Sequence, residues 1–151
     1  KDVEYMDCSK YRIMIVDDNK LNIKVASRIL QKYNFIIDSA FSGQECINKF
    51  KQGQKYDMIF MDHMMPEMDG IETMHVIKKL EGFYIPPVVA LTANAITGMK
   101  EKYLGEGFAS YLAKPIDKNE LVKVLNEVLD NAQKAISIIL FSTNSKASSQ
   151  L

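Results

Sequence analysis

The stretch Asp57-Met-Ile-Phe-Met-Asp-His-Met-Met-Pro-Glu-Met-Asp-Gly70 decides how this chain is read. Asp57–Met61 is a short, nearly continuous apolar run, the pattern of a strand covered on both faces. A carboxylate, Asp62, follows it directly. A loop with Pro66 comes next, then an Asp69-Gly70 turn. Ile71, Met74, Ile77 and Leu80 then recur at helical spacing. The unit is therefore strand, loop, helix.

The same unit repeats on either side. Upstream, Arg12–Val16 reads as a strand that runs into Asp17 and Asp18, and Leu21, Val25, Ile29 and Leu30 mark a helix. Lys20, Asn22, Lys24 and Arg28 fill its other face, and Asn34 ends it. Phe35–Ala40 is a second strand. Ser42-Gly43 opens a helix that runs to about Gln52, where Gly53 stops it. Downstream, Pro86-Pro87 precede a strand over Val88–Leu91, which ends on Thr92. A helix is predicted over about Ile96 to Gly105, and Gly107 separates it from a fifth strand, Ala109–Ala113, followed by Lys114. Asp117 is a good N-cap with Glu120 three residues on, and Leu121, Val124, Leu125 and Val128 line the buried face of the last helix.

Five such units with short connections predict an α/β fold: a flavodoxin-like (βα)5 doubly wound parallel sheet. The strand order would be 2-1-3-4-5, which sets strands one and three side by side. Residues 1–10 read as a leader or linker, 11–130 as the folded domain, and 131–151 as a C-terminal extension. In that extension Ala135–Phe141 is apolar, while 142–149 is polar and low in complexity, like a disordered linker.

Bulk properties narrow the function. Over 151 residues, 47% hydrophobic and 25% charged content is ordinary for one globular domain. A formal net charge of zero argues against nucleic acid or an anionic membrane as partner. The apolar runs are too short for a membrane helix, and the start has no signal-peptide core. The expected location is the cytoplasm, with a membrane anchor left possible in a longer parent protein. A first residue of Lys1 suggests a fragment or a processed end. Cys8, in the polar leader, and Cys46 lack metal or redox spacing and read as two reduced thiols.

Asp17, Asp18, Asp62, Thr92 and Lys114 all follow strands, at the sheet edge where open α/β folds bind ligands. Three clustered carboxylates repel one another unless a hard divalent cation joins them, and Mg²⁺ takes such oxygen ligands. A backbone carbonyl from the loop after Asp62 could complete the set. An ammonium and a hydroxyl in the same crevice suit phosphoryl oxygens. A carboxylate beside Mg²⁺ can itself be the nucleophile, and Asp62 lies on a central strand. Taken singly, the paired acids and Thr92 are also explained as helix caps, and Lys114 as a solvated lysine. Lys114-Pro115 is a candidate cis peptide that would aim the lysine.

Val16-Asp-Asp-Asn19, Met61-Asp-His-Met-Met-Pro-Glu-Met-Asp-Gly70, Ala90-Leu-Thr-Ala-Asn-Ala95 and Tyr111-Leu-Ala-Lys-Pro115 together resemble the signature blocks of two-component receiver domains. The likeness runs from about Tyr11 to Leu129 and is greatest to receivers of hybrid sensor histidine kinases. It implies that Asp62 accepts a phosphoryl group from the phosphohistidine of a histidine kinase or a histidine phosphotransfer domain. It implies that Asp17, Asp18, Asp62 and the Met64 backbone carbonyl bind Mg²⁺ or Mn²⁺, and that Thr92 and Lys114 contact the attached group. It also implies a switch in which Thr92 and Tyr111 move and the surface of the fourth helix, fifth strand and fifth helix changes. Tyr111 is alternatively a half-buried strand aromatic.

Such a domain turns over no external metabolite, though its parent could be a histidine protein kinase. The alternatives are a stand-alone single-domain regulator and a Mg²⁺-dependent aspartyl-phosphate phosphohydrolase. The latter usually carries an acid two residues after its nucleophile, where this chain has Met64. His63 is expected to be a loop side chain pointing outward, and His75 a surface residue. Met14, Met58 and Met61 are expected in the core. Met64, Ala93 and Asn94 flank the site and would tune the lifetime of the phosphorylated state.

Overall fold

The structure is a computed structural model that describes residues 8–93 and 98–129. The elements alternate as β1 (Arg12–Val16), α1 (Lys20–Gln31), β2 (Ile36–Ala40), α2 (Gly43–Lys51), β3 (Met58–Asp62), α3 (Gly70–Lys78), β4 (Val88–Thr92), α4 (Met99–Gly105), β5 (Ser110–Ala113) and α5 (Lys118–Val128). All five strands are parallel, in the order β2-β1-β3-β4-β5. The predicted fold class and strand order are therefore observed. The predicted start of α4 at Ile96, the neighbouring Asn94 and the apolar run at 135–141 lie outside the described residues.

Strand alternation sorts the apolar residues into two cores. Ile13, Ile15, Phe60, Leu91 and Leu112 pack with Ile23, Leu30, Leu121 and Leu125 of α1 and α5. Met14, Val16, Met61, Ala90 and Tyr111 pack on the other face with Phe50, Met74, Ile77 and Tyr103 of α2, α3 and α4. Met14, Met58 and Met61 are fully buried, as their strand positions require. β2 and β5, the two edge strands, are less continuously buried than the inner three, and β2 is the more open of the two. Ile36 of β2 stays exposed.

The buried stripe of α1 differs from the expected one. Ile23, Ala26 and Leu30 face the sheet, while Leu21 is 65% exposed and Val25 39%. The helix is apolar on two sides, and at 100° per residue Leu21 falls opposite the Ile23–Ala26–Leu30 row. Which side turns inward depends on how the chain leaves β1. Asn19 sets that exit: its side chain accepts the Leu21 N–H at 2.9 Å as the N-cap. Cys8 also departs from expectation. It is fully buried in the α1/α5 core, and its N–H donates to Tyr33 O at 3.2 Å. Cys46 is buried as well, and burial pushes its thiol up to about 12, so it is a packing group and not a reactive thiol.

Polar groups close the ends. Ser42, Asp69 and Asp117 accept the N–H of Glu45, Glu72 and Glu120 as N-caps of α2, α3 and α5. Asp117→Ala is expected to cost about 1 kcal/mol, seen as a lower urea midpoint at unchanged slope. On β2, Asp38 accepts from Lys49 Nζ (2.7 Å) and Tyr56 Oη (2.5 Å). Burial opposes its charge, but the bonds from Lys49, Tyr56 and the Ser39 N–H hold its carboxyl below the usual range. Among the described residues, no helix is long and apolar enough to cross a membrane.

Candidate functional site

The sheet ladder continues one step past the strands at their carboxyl ends. Asp17 N–H donates to Ala40 O (3.0 Å), His63 N–H to Leu91 O (2.9 Å) and Lys114 N–H to Thr92 O (2.8 Å). These bonds tie the end of β1 to β2, and the ends of β3, β4 and β5 to one another. Val16 pairs with Met61 across β1 and β3, so Asp17 and Asp62 emerge side by side. Asp62 pairs with Leu91, and Thr92 with Ala113, which brings Thr92 and Lys114 to the same edge.

Asp17 and Asp62 are buried, at 0% and 2% exposure, and Asp18 is exposed beside them. Oxygens of the three carboxylates lie within 4.8 Å of one another. Lys114 Nζ sits 2.9 Å from Asp62 Oδ1 and 3.5 Å from Asp17 Oδ2. The other oxygen of Asp17 accepts the Asn19 N–H at 2.9 Å. An all-oxygen set of three close acids, two of them buried, suits a hard divalent cation with few protein ligands.

The charges shift as the packing dictates. Burial raises the Asp62 carboxyl to about 6; the Lys114 hydrogen bond pulls it down, and the fields of Asp17 and Asp18 add to the rise. Burial alone would lower the Lys114 ammonium. The hydrogen bond to Asp62 and the fields of Asp17 and Asp62 outweigh it and hold the group above the ordinary lysine range. The lysine is therefore charged, and it partly offsets the buried acids Asp17 and Asp62.

The loop after Asp62 is set by close approach. Gly70 opens α3, and its N–H donates to His63 O at 2.8 Å. A Cβ at position 70 would stand 2.3 Å from Asp62 O and 3.1 Å from His63 Cα, both backbone atoms. Only a residue without a Cβ lets α3 start this near the end of β3. The sequence showed Asp69-Gly70 as a turn; its role as a spacer depends on what lies opposite.

Met64 points its side chain into solvent at 72% exposure, so any part it plays in the site comes from its backbone. Ala93 is exposed beside Thr92, which is itself buried. Tyr111 is half-buried and packs against Tyr103, with ring centroids 6.2 Å apart. The Lys114-Pro115 peptide is cis, as anticipated. His75 is exposed and bonds to Glu106 at 2.7 Å. His63 is a correction. Its ring does not point outward but meets the buried Tyr103 hydroxyl through Nδ1 at 2.7 Å. Tyr103 lies forty residues away on α4, so no local pattern signals the contact.

Comparison with known proteins agrees with this geometry. The family model for the response regulator receiver domain matches residues 13–126. The histidine-protein kinase BarA of Escherichia coli K12 is 40% identical over 113 residues, 75% of this chain and 12% of the relative. The sensor protein ArcB from the same strain is 30% identical over 151 residues, 99% of this chain and 19% of ArcB. This chain thus spans under a fifth of the length of these relatives. Among solved structures, Vibrio cholerae CheY4 superposes with a TM-score of 0.70 at 27% identity, covering 79% of this chain and 98% of CheY4. The Saccharomyces cerevisiae Ssk1 receiver, solved with the phosphotransfer protein Ypd1, gives 0.69 at 30% identity, over 78% of this chain and 88% of that one. With the fold, the acidic crevice and the matched residues in agreement, this chain belongs to the response regulator receiver domain family of two-component systems, and it is related to the receivers of hybrid sensor histidine kinases.

Proposed function

We propose that the chain takes a phosphoryl group from a phosphohistidine onto Asp62 and so switches the surface formed by α4, β5 and α5. The observation that carries this reading is the convergence of three carboxylates within 4.8 Å, with Lys114 Nζ 2.9 Å from Asp62. Asp17, Asp18, Asp62 and the Met64 carbonyl would hold Mg²⁺ or Mn²⁺. The bound cation offsets the negative charge of the acids and of the incoming group.

An Asp62 oxygen attacks phosphorus, the P–N bond to the donor imidazole breaks, and a P–O bond forms. The donor ring leaves neutral, keeping the proton on its other nitrogen. Lys114 and Thr92 then contact the transferred oxygens. The donor is a histidine kinase or a histidine phosphotransfer domain, in line with the partner of the related Ssk1 receiver. The parent is a hybrid sensor kinase in this reading, and the domain acts in the cytoplasm. A depression of about 370 Å³ beside Tyr111, Lys100, Glu120 and Lys123 lies on the proposed switch surface.

The test is intact-mass measurement after incubation with acetyl phosphate. One phosphoryl group is expected with Mg²⁺ and none with excess chelator. Uptake mapped to His63 in place of Asp62 would sink the assignment. Cation affinity should also follow pH. Ligation needs an ionised Asp62, whose metal-free carboxyl sits at about 6. Mg²⁺ affinity is therefore expected to be level well above pH 6 and to fall by about tenfold per unit below it. A titration that is flat between pH 7.5 and 5 would contradict this.

A further inference from the structure

α4 has one buried anchor. The helix has seven residues, its N-cap Gly98 offers no side chain, and Tyr103 is its one buried residue. Tyr103 meets Phe108 edge-on at 5.7 Å and lies nearly parallel to Tyr111, 18° between planes. Its hydroxyl reaches His63 Nδ1 at 2.7 Å, and the two rings meet edge to face at 5.4 Å. His63 directly follows Asp62, and its backbone is clamped on both sides, N–H to Leu91 O and C=O from Gly70 N–H. Any displacement of the loop after Asp62 must therefore move the imidazole.

Resting on the phosphoacceptor reading above, we infer that the His63–Tyr103 hydrogen bond is the positioning link through which occupancy of Asp62 reaches α4 and Tyr111. A buried hydroxyl keeps its partner, because water cannot replace it. Tyr103 thus follows His63, and close packing passes the shift to Tyr111, the next ring. The anchor of α4 and the half-buried aromatic of β5 answer to one bond at the phosphorylation loop. His63 acts through Tyr103, as a positioning residue, and touches no reacting atom in this role.

The test is backbone-amide NMR of the full 151-residue chain, titrated with beryllium fluoride in Mg²⁺. In the wild-type chain, amides at 62, 63 and 92 should shift together with those at 103 and 111. Tyr103→Phe keeps the ring and removes the hydroxyl. It should leave the site shifts and ligand affinity unchanged while the shifts at 103 and 111 are lost. His63→Leu, which keeps an apolar side chain against the Tyr103 ring and removes Nδ1, should do the same. His63→Asn, whose amide sits near the place of Nδ1, should restore the response. A full response at 103 and 111 in both Tyr103→Phe and His63→Leu overturns the link and leaves the Asp62 reading standing. A wild-type chain without site shifts overturns that reading and the link with it.

Discussion

Asp62→Asn is expected to abolish phosphoryl uptake and, at the same time, to make the metal-free protein more stable at pH 7.5. The first effect follows from losing the nucleophile. An amide oxygen is a poor nucleophile, and removing the reacting group of a covalent mechanism costs on the order of 10⁴-fold or more. The second follows from the raised carboxyl. Burial lifts Asp62 to about 6, with Lys114 opposing and Asp17 and Asp18 adding. The folded protein therefore holds this proton more tightly than the unfolded chain does. The stability this group contributes is fully present below its unfolded value, near 4, and is lost as pH rises through about 6. At pH 7.5 the wild type carries an ionised buried acid that asparagine lacks. The variant should gain on the order of 2 kcal/mol in chelator at pH 7.5, and the gain should fade towards pH 4. Saturating Mg²⁺ should narrow the gap, because it stabilises only a folded wild type with its ligands intact. Urea midpoints across pH, with and without Mg²⁺, check both signs. A variant that is less stable than wild type at pH 7.5 in chelator would contradict the account.

Gly70→Ala should produce the largest loss of stability from a single methyl group. The added carbon would stand 2.3 Å from the Asp62 carbonyl oxygen, and the atoms it meets are backbone, which cannot rotate away. Either α3 backs off or the end of β3 bends, and overpacking of this kind costs about 3 kcal/mol. The strain falls on the Gly70 N–H to His63 O bond and on the loop that presents Met64. Mg²⁺ affinity should therefore drop along with the urea midpoint, and the His63–Tyr103 contact should loosen. Gly53→Ala is the comparison: nothing stands near its Cβ, and its cost comes only from a positive φ of 85°. Equal midpoints for Gly70→Ala and wild type would show that the approach seen here is not needed.

Much of the site could be read before folding because it follows from local patterns. Asp17, Asp18, Asp62, Thr92 and Lys114 each come at or just past the end of an apolar run. In a parallel sheet every run of that kind ends on the same edge. The caps at Ser42 and Asp117 and the stop at Gly53 were legible for the same reason, since each acts on residues within one turn. α1 shows where this breaks down. Its sequence offers two apolar sides, and the row Ile23, Ala26, Leu30 is the one that faces the sheet. Cys8 looked like part of a polar leader, yet it fills the α1/α5 core beside Tyr33.

By itself, the sequence determined five β–α units, their order in the sheet and a row of acids, hydroxyl and amine along one edge. Period, punctuation and handedness are short-range properties, and they leave few topologies open. The tertiary structure alone decided the distances that make the edge a site: Lys114 between Asp62 and Asp17, and α3 brought against β3 at Gly70. It alone placed the His63 ring on the Tyr103 hydroxyl. Those contacts join residues separated by whole elements. They depend on angles and offsets between packed helices and strands, to fractions of an ångström, and no pattern within a single element encodes them.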